Sequence, residues 1–248
     1  IKEKKNMLYF IISLFSTVTG AIVGIGGGLI IRPLLANIGV AKSLASFTSA
    51  VVVLSMAMVT LATFIMNGVK INIRKILLLG IGSVIGGFLG GTLLKHVNEN
   101  FIDIAYIFML LLVLFSVVFR KKIPEINIKN PLAEITIGVL TGGLSGLFGI
   151  GGGPFQVTAL IVFFGMDPRE AAVDSIFITF LTTLSSLTKY TINGYMDFSL
   201  ALYMIPAAVI GGYTGGKINR KISSKKVSLI FVISILFIIM MQSIMIIF

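Results

Sequence analysis

Charged side chains are scarce in this sequence. They make up 12% of the 248 residues, whereas 56% of the residues are hydrophobic. A soluble domain of this length needs many more charged and polar side chains to cover its surface. The composition therefore excludes water as the main solvent of the protein.

The sequence has no cysteine, and its one histidine is His96. Disulfides, thiol nucleophiles and thiolate metal sites are therefore excluded. A lone histidine in a predicted loop forms neither a metal cluster nor a catalytic dyad, and the apolar segments hold too few acids for general acid–base chemistry. We expect no catalytic residue, metal or cofactor, and a membrane-embedded enzyme is the least favoured alternative.

Long apolar stretches without charge fill most of the chain. A helix rises about 1.5 Å per residue, so about 20 apolar residues cross roughly 30 Å of hydrocarbon. Lipid satisfies no backbone hydrogen bonds, and alternating strand patterns are absent, so spanning segments should be helices. We predict an all-α, multi-pass protein embedded in the lipid bilayer of a prokaryotic plasma membrane. The stretches are 7–31, 43–69, 76–94, 104–119, 135–166, 175–188, 198–216 and 227–248.

The formal net charge is +11, from 20 Lys and Arg against nine Asp and Glu. The basic residues lie in short clusters between apolar runs, which is typical of cytoplasmic loops rather than of a nucleic-acid surface. We expect no nucleic-acid partner. The apolar run after Lys2–Lys5 is too long for a signal peptide, and it is predicted to be the first membrane helix.

The sequence repeats itself at an offset of about 125 residues. Gly24–Gly28 (GIGGG) recurs as Gly149–Gly153, and Ile85–Gly91 recurs as Ile210–Gly216. We therefore predict two homologous halves of about four hydrophobic segments each, at 1–122 and 132–248, joined by a linker loop at 123–131. Secondary transporters are commonly built from two such halves, with the solute site between them.

The orientation of the halves depends on the two GIGGG runs. If each run only kinks a span, the repeats are parallel, and the loops divide the basic residues other than Arg32, which lies within an apolar stretch, into 11 and eight. If the chain turns back at each run, the repeats are inverted and the division is 13 against six. The second division fits the positive-inside rule better, so inverted repeats with both termini outside are favoured.

Consecutive glycines favour positive φ angles and disfavour helix by about 1 kcal/mol each relative to alanine. Each GIGGG run is therefore predicted to break its segment. A helix that restarts there presents N–H groups and a positive dipole end to an anion, although a packing bend without ligand is the competing interpretation. Neither run matches a nucleotide-binding loop. Arg32, just past the first run, could reach a bound anion or extend to the lipid headgroups.

Other glycines and one acid need separate interpretations. Glycines four residues apart, as in Ile85–Gly91 and Ile210–Gly216, predict close helix packing. Asp167, Pro168 and Glu170 form a helix-capping pattern. Asp174, which follows within the membrane segment, has Thr48 as its equivalent and is either a coupling group or an interfacial side chain.

Each half opens with a glycine run and continues into a second motif, at Gly39–Ser49 and Gly165–Ser175. These elements resemble the TauE/SafE family of sulfite exporters over essentially the whole chain. The resemblance implies transport of sulfite, sulfonates or related organic anions. Asp174 departs from Thr48 in the first half, and its negative charge favours a role in coupling over direct anion binding.

The resulting hypothesis is a secondary transporter that binds a small anionic solute between the two broken segments, with H⁺ or Na⁺ as the candidate coupling ion. A passive anion channel and a transporter of a non-sulfur solute are the alternatives. The oligomeric state is left open. The candidate solute-binding residues are Gly26, Gly27, Gly28, Thr48, Ser49, Gly151, Gly152, Gly153, Gln156 and Ser175.

Overall fold

The computed structural model describes residues 2–94, 97, 99–119 and 128–247. All regular structure in these residues is helical, in ten helices without a strand, and this confirms the predicted all-α class. The helices are α1 (Lys2–Val23), α2 (Gly28–Asn37), α3 (Lys42–Met66), α4 (Ile73–Leu93), α5 (Glu99–Val118), α6 (Pro131–Phe148), α7 (Gly153–Phe163), α8 (Pro168–Ile192), α9 (Ala201–Lys221) and α10 (Ser224–Ile247).

Six of the described helices, α1, α3, α4, α6, α8 and α10, are long and apolar enough to cross a membrane. Large apolar side chains such as Phe15, Phe108 and Phe115 are exposed on the outside of the bundle, as expected of a surface that faces lipid. The prediction of a multi-pass membrane protein is confirmed.

The helices form two series of five in the same order, and two of the equivalent pairs have equal lengths. Helices α3 and α8 have 25 residues each, and α4 and α9 have 21 each. The packing partners also match, because α1 packs on α9 as α6 packs on α4, and α3 packs on α9 as α8 packs on α4. The boundaries at 122 and 132 stay a prediction, and linker residues 123–127 lie outside the described residues.

The second half shows how local sequence sets the helix ends. Helix α6 begins with Pro131 after the N-cap Asn130, whose side chain accepts a hydrogen bond from the N–H of Leu132 (2.9 Å). It ends at Phe148, and its C-cap is Gly149, which has a φ of 64°. Helix α8 is capped by Asp167, as predicted, because its carboxylate accepts from the N–H of Arg169 (3.0 Å).

Glycine faces bring α4 and α6 close together. A Cβ atom at Gly86 would overlap the carbonyl of Val139, and one at Gly142 would overlap Ser83. The equivalent pair, α9 and α1, meets in the same way where Gly211 packs against Thr17. The predicted close packing at the four-residue glycine spacing is confirmed.

Hydrogen bonds between helix ends show the relative directions of the helices. The end of α9 is bonded to the end of α1, since Asn219 Nδ2 donates to the carbonyl of Ile22 (2.7 Å). Arg220 donates to the side chain of Asn67, just past α3, and accepts at its carbonyl from Arg169 near the start of α8. Helices α1, α3 and α9 therefore run in one direction, and α8 runs in the other.

The segment α6–α7 is a helical hairpin. The N–H of Ile128, just before α6, donates to the carbonyl of Phe163 at the end of α7 (3.1 Å), so the chain returns to the face from which it came. We call this the linker face, and it also holds the α3–α4 and α9–α10 connections. The opposite face, which holds the start of α1 and the end of α10, is the terminal face.

Candidate functional site

The two GIGGG runs interrupt the helices, as predicted. Gly24, Gly26 and Gly27 have φ angles of 80°, 81° and 72°, in the left-handed region that favours glycine. The N–H of Gly24 still donates a hydrogen bond to the carbonyl of Gly20 in α1. The hydrogen bonds of α2 begin where the N–H of Ile30 donates to the carbonyl of Gly27. The second run has the same form, with positive φ angles at Gly149, Gly151 and Gly152. We call residues 24–28 and 149–153 the two glycine bends.

The two bends touch each other inside the bundle. Gly28 lies against the carbonyl of Ile150, and Gly153 lies in the same way against the backbone of Ile25. A Cβ atom at Gly26 would contact Val53 and Thr179, which lie near the middle of the 25-residue helices α3 and α8. The bends therefore meet at about half the depth of the bundle.

Two serines link α3 and α8 to the bends. Ser175 Oγ donates to the carbonyl of Gly24 (3.0 Å), and Ser49 Oγ lies 3.5 Å from the carbonyl of Gly28. Both side chains are fully buried. The Ser175 hydroxyl thus pairs with a carbonyl that the end of α1 leaves without an intrahelical partner, whereas Ser49 lies beside the first carbonyl of α2.

Gln156 is fixed by two threonines of α8. Its Nε2 donates to Thr182 Oγ1 and its Oε1 accepts from Thr179 Oγ1, both at 2.8 Å. Thr48 is also fully buried, but its hydroxyl has no hydrogen-bond partner in the structure. The structure therefore places Ser49, Ser175 and Gln156 against the bends, with most of their hydrogen bonds made inside the protein, and shows no contact between Thr48 and the bends among the described residues.

Asp174 lies away from the bends, towards the linker face. Its Oδ1 accepts from the N–H of Asn72 (3.1 Å), and its Oδ2 is buried without a hydrogen-bond partner. The carboxylate borders a cavity of about 490 Å³, which we call the Asp174 cavity. Its lining residues are Val69, Lys70, Asn72, Asp167, Arg169, Glu170, Val173, Asp174 and Ser224.

Arg32 borders a second cavity on the terminal side. The residue is 2% exposed, so its side chain is buried rather than extended to the surface. Its Nε donates to Ser46 Oγ (3.1 Å), and Ser46 packs against Gly149 of the second bend. We call this cavity, of about 230 Å³, the Arg32 cavity. Its lining residues are Arg32, Lys42, Ser43, Leu94, Val97, Ile102 and Tyr195.

Sequence reasoning missed Ser46 and Lys42. A signal for Lys42 was present, because it opens α3 beside a glycine motif shared with α8. Nothing in the sequence marks Ser46, whose equivalent is Ala172. His96 lies outside the described residues, and the described residues contain no group of three acids or histidines that could hold a metal ion.

A family model described as sulfite exporter TauE/SafE matches residues 9–241. This match includes both glycine bends and the helices that surround them. The chain belongs to the TauE/SafE family. Its resemblance in sequence, stated above on the two motifs, is thus confirmed over nearly the whole length.

Curated relatives of this TauE/SafE chain are named as probable membrane transporter proteins. YunE of Bacillus subtilis is 27% identical, and the alignment covers 90% of this chain and 92% of the relative. A relative from Methanocaldococcus jannaschii is 29% identical, with 88% of each chain covered. One from Haemophilus influenzae is 23% identical, with 85% and 83% covered. No solved structure matches significantly. The chain is therefore grouped with membrane transporters and not with enzymes.

Proposed function

We propose that this protein is a secondary transporter of small anions, such as sulfite, sulfonates or other organic anions, and that the two glycine bends form its solute site. The contact between the bends carries the proposal. Two interrupted helices that meet at mid-depth direct the N-terminal ends of α2 and α7 into one region, where their dipoles favour negative charge. Irregular backbone inside a membrane is tolerated where it lines such a site.

We further infer that the halves are inverted repeats. The direction of α3 supports this, because α3 runs with α9 and against α8. In parallel repeats with four spans each, α3 and α8 would run in the same direction. Under inverted repeats the sequence divides the basic residues other than Arg32 into 13 on the side of the linker and six on the other side, which favours a cytoplasmic linker face in a prokaryotic plasma membrane.

Asp174 is the proposed coupling group. It faces Lys70, Asp167, Arg169 and Glu170 in the Asp174 cavity, and the charge of Lys75 also acts on it. A carboxylate inside a membrane segment is costly, so such residues commonly bind a proton or a cation. Replacing Asp174 with Asn should remove the dependence of transport on a proton or Na⁺ gradient, while exchange of anion across the membrane continues.

Flux in proteoliposomes tests the transport proposal. We expect the purified protein to carry sulfite or a simple sulfonate, and to respond to an imposed proton or Na⁺ gradient. Anion flux whose rate changes with neither gradient would instead indicate a passive channel. Flux of an uncharged or cationic solute, with none for any anion, would contradict the proposal.

A paired substitution tests the placement of the site. Gly26→Leu with Gly151→Leu should abolish anion binding, because side chains there would collide with Val53 at the meeting point of the bends. Gly39→Leu with Gly165→Leu is the matched control. Gly39 and Gly165 also have positive φ angles, but a Cβ atom added to either would have no other atom within 4 Å. Normal anion binding by the first pair would refute this placement.

A further inference from the structure

The two glycine bends differ in the polarity of the side chains around them. Buried polar side chains lie together where α7 begins, and we call them the polar cluster. Gln156 is at its centre, held by Thr179 and Thr182. Thr183 Oγ1 lies 3.5 Å from the carbonyl of Gly151 in the second bend. The members of the polar cluster are Ser145, Gln156, Thr179, Thr182 and Thr183.

The first half shows that the fold does not need polar side chains at these places. Its equivalents of the polar cluster are a glycine and four apolar residues, and they are buried in the same way. Burying a polar group is unfavourable unless it is hydrogen-bonded, so an apolar set is the simpler way to pack a bend. A role in binding is the remaining reason for the polar set. The equivalents are Gly20, Ile31, Val53, Met56 and Ala57.

Ser145 is the member of the polar cluster whose hydroxyl is not used. The residue is 1% exposed, and its Oγ has no hydrogen-bond partner among the residues that the structure describes. A Cβ atom added at Gly152 would lie 2.7 Å from Ser145 Oγ and 2.8 Å from Gln156 Nε2. Two side-chain donors therefore approach the same point of the second bend.

That point is the N-terminal end of α7. Gly152 is the N-cap of this 11-residue helix, and no side chain caps it. Gln156 Nε2 has two N–H groups, of which Thr182 accepts one. A hydroxyl without a partner, an amide N–H and the positive end of a helix dipole thus meet, and this chemistry suits an anionic acceptor and disfavours a cation.

We propose that Ser145 is a ligand of the solute, and that Ser145 and Gln156 together donate to the oxygen atoms of a sulfite or sulfonate group at the second bend. The inference rests on the proposed function and deepens it, because it assigns the side-chain donors to one of the two bends. The first bend, with Gly20 and Ile31 at the equivalent positions, then contributes backbone contacts only.

Binding requires the second bend to open. A methyl group at Gly152 would already be too close to both donors, so an anion does not fit between them in this arrangement. Ser145 lies on α6 and Gln156 on α7, and the second bend joins these two helices. Separation of α6 from α7 at the bend would expose both donors to the same solute. Alternating access in transporters proceeds through rearrangements of this kind.

Removal of one hydroxyl tests the ligand. Ser145→Ala should weaken binding of methanesulfonate about tenfold, because a hydrogen bond to a charged group is lost. Its melting temperature without anion should be unchanged or higher, since the hydroxyl has no internal partner. Ser83→Ala is the matched control. The Ser83 hydroxyl is also buried without a partner among the described residues, but it lies on α4, where that helix contacts Gly142. An unchanged Kd for Ser145→Ala would overturn the proposal.

Thiol labelling tests the opening of the bend. The chain has no native cysteine, so Ser145→Cys and Ser83→Cys each provide a single thiol. The reagent is sulfonatoethyl methanethiosulfonate, which is small and itself carries a sulfonate. In detergent, we expect it to modify the Ser145 variant, more slowly when methanesulfonate is present, and to leave the Ser83 variant unmodified. Equally slow modification of the two variants would show that the site does not open to an anion, and would overturn the proposal.

The outcomes separate this inference from the proposed function. If the wild type neither carries nor binds an anion, the proposed function fails and the inference fails with it. If the wild type carries anion and Ser145→Ala binds methanesulfonate as tightly, only the assignment of Ser145 fails.

Discussion

Gly28 packs so closely against Ile150 that an added Cβ atom would lie 2.5 Å from the Ile150 carbonyl oxygen. The equivalent pair, Gly153 and Ile25, is equally close. Each bend thus supplies a glycine that fits against the isoleucine of the other bend. The glycines of the two GIGGG runs therefore have two roles. They adopt the positive φ angles of the bends, and they allow the two halves to touch.

Alanine at Gly28 should destabilise the protein. The new methyl group would meet backbone atoms, which cannot move aside without separating the bends, and overpacking of this kind costs about 1–3 kcal/mol. Gly80→Ala is the control, because a Cβ there meets only Leu181 Cδ1 at 3.6 Å. Melting temperatures in detergent should fall for Gly28→Ala and not for Gly80→Ala. Equal melting temperatures would contradict the contact between the bends.

Two adjacent glycines of α6 should respond differently to alanine. A Cβ at Gly142 would overlap Ser83 of α4, whereas one at Gly143 would have the carbonyl of Gly86, at 3.8 Å, as its nearest atom. We expect Gly142→Ala to separate α4 from α6 and lower the melting temperature. Gly143→Ala should leave it unchanged or raise it, since alanine favours helix by up to about 1 kcal/mol. The reverse order would show that the packing face of α6 is assigned wrongly.

The glycine bends could be predicted because their cause is local. Consecutive glycines disfavour helix wherever they occur, and two copies at one offset imply equivalent places in the fold. Their mutual contact is different, since it depends on how the halves pack. The sequence left open whether the chain kinks or turns back at each run, because that choice depends on contacts such as Ile128 with Phe163, far apart in sequence.

The cavities show a second limit of sequence reasoning. Asp174 could be recognised as unusual from its place in an apolar segment, but its contact with Asn72 comes from the α3–α4 connection and leaves no sequence signal. Ala41 stands opposite Asp167 when the two halves are compared, so the sequence already indicates that α3, unlike α8, begins without a side-chain cap.

Single cysteines should report the orientation of the repeats. The chain has no native cysteine, so Ser43→Cys and Ser223→Cys can each be labelled without background. Inverted repeats place Ser43 on the terminal face and Ser223 on the linker face. A membrane-impermeant maleimide added to intact cells should label the Ser43 variant only, because the more basic linker face is expected inside. Parallel repeats would put both positions on the same side, and labelling of both or neither would support them.

Thr48 and Thr60 are both buried in α3, but only one of them has its hydroxyl paired. Thr60 Oγ1 donates to the carbonyl of Met56 (2.8 Å) and lies 3.1 Å from that of Gly212, whereas the Thr48 hydroxyl has no partner. Thr60→Val should therefore cost about 1 kcal/mol, and Thr48→Val should be neutral or stabilising, because it removes an unsatisfied polar group. Thermal melts of the two variants measure this difference.

The same pair tests whether Thr48 binds the solute. Thr48 is a candidate ligand from the sequence, and its buried hydroxyl has no hydrogen-bond partner in the structure, so Thr48→Val should weaken anion binding while leaving the fold intact. Thr60 lies at the contact with α9, and its valine variant should bind anion normally once folded. If Thr48→Val binds sulfite as tightly as the wild type, Thr48 is not a ligand. Binding would then have to use other groups at the bends, and the Gly26→Leu with Gly151→Leu pair becomes the deciding measurement.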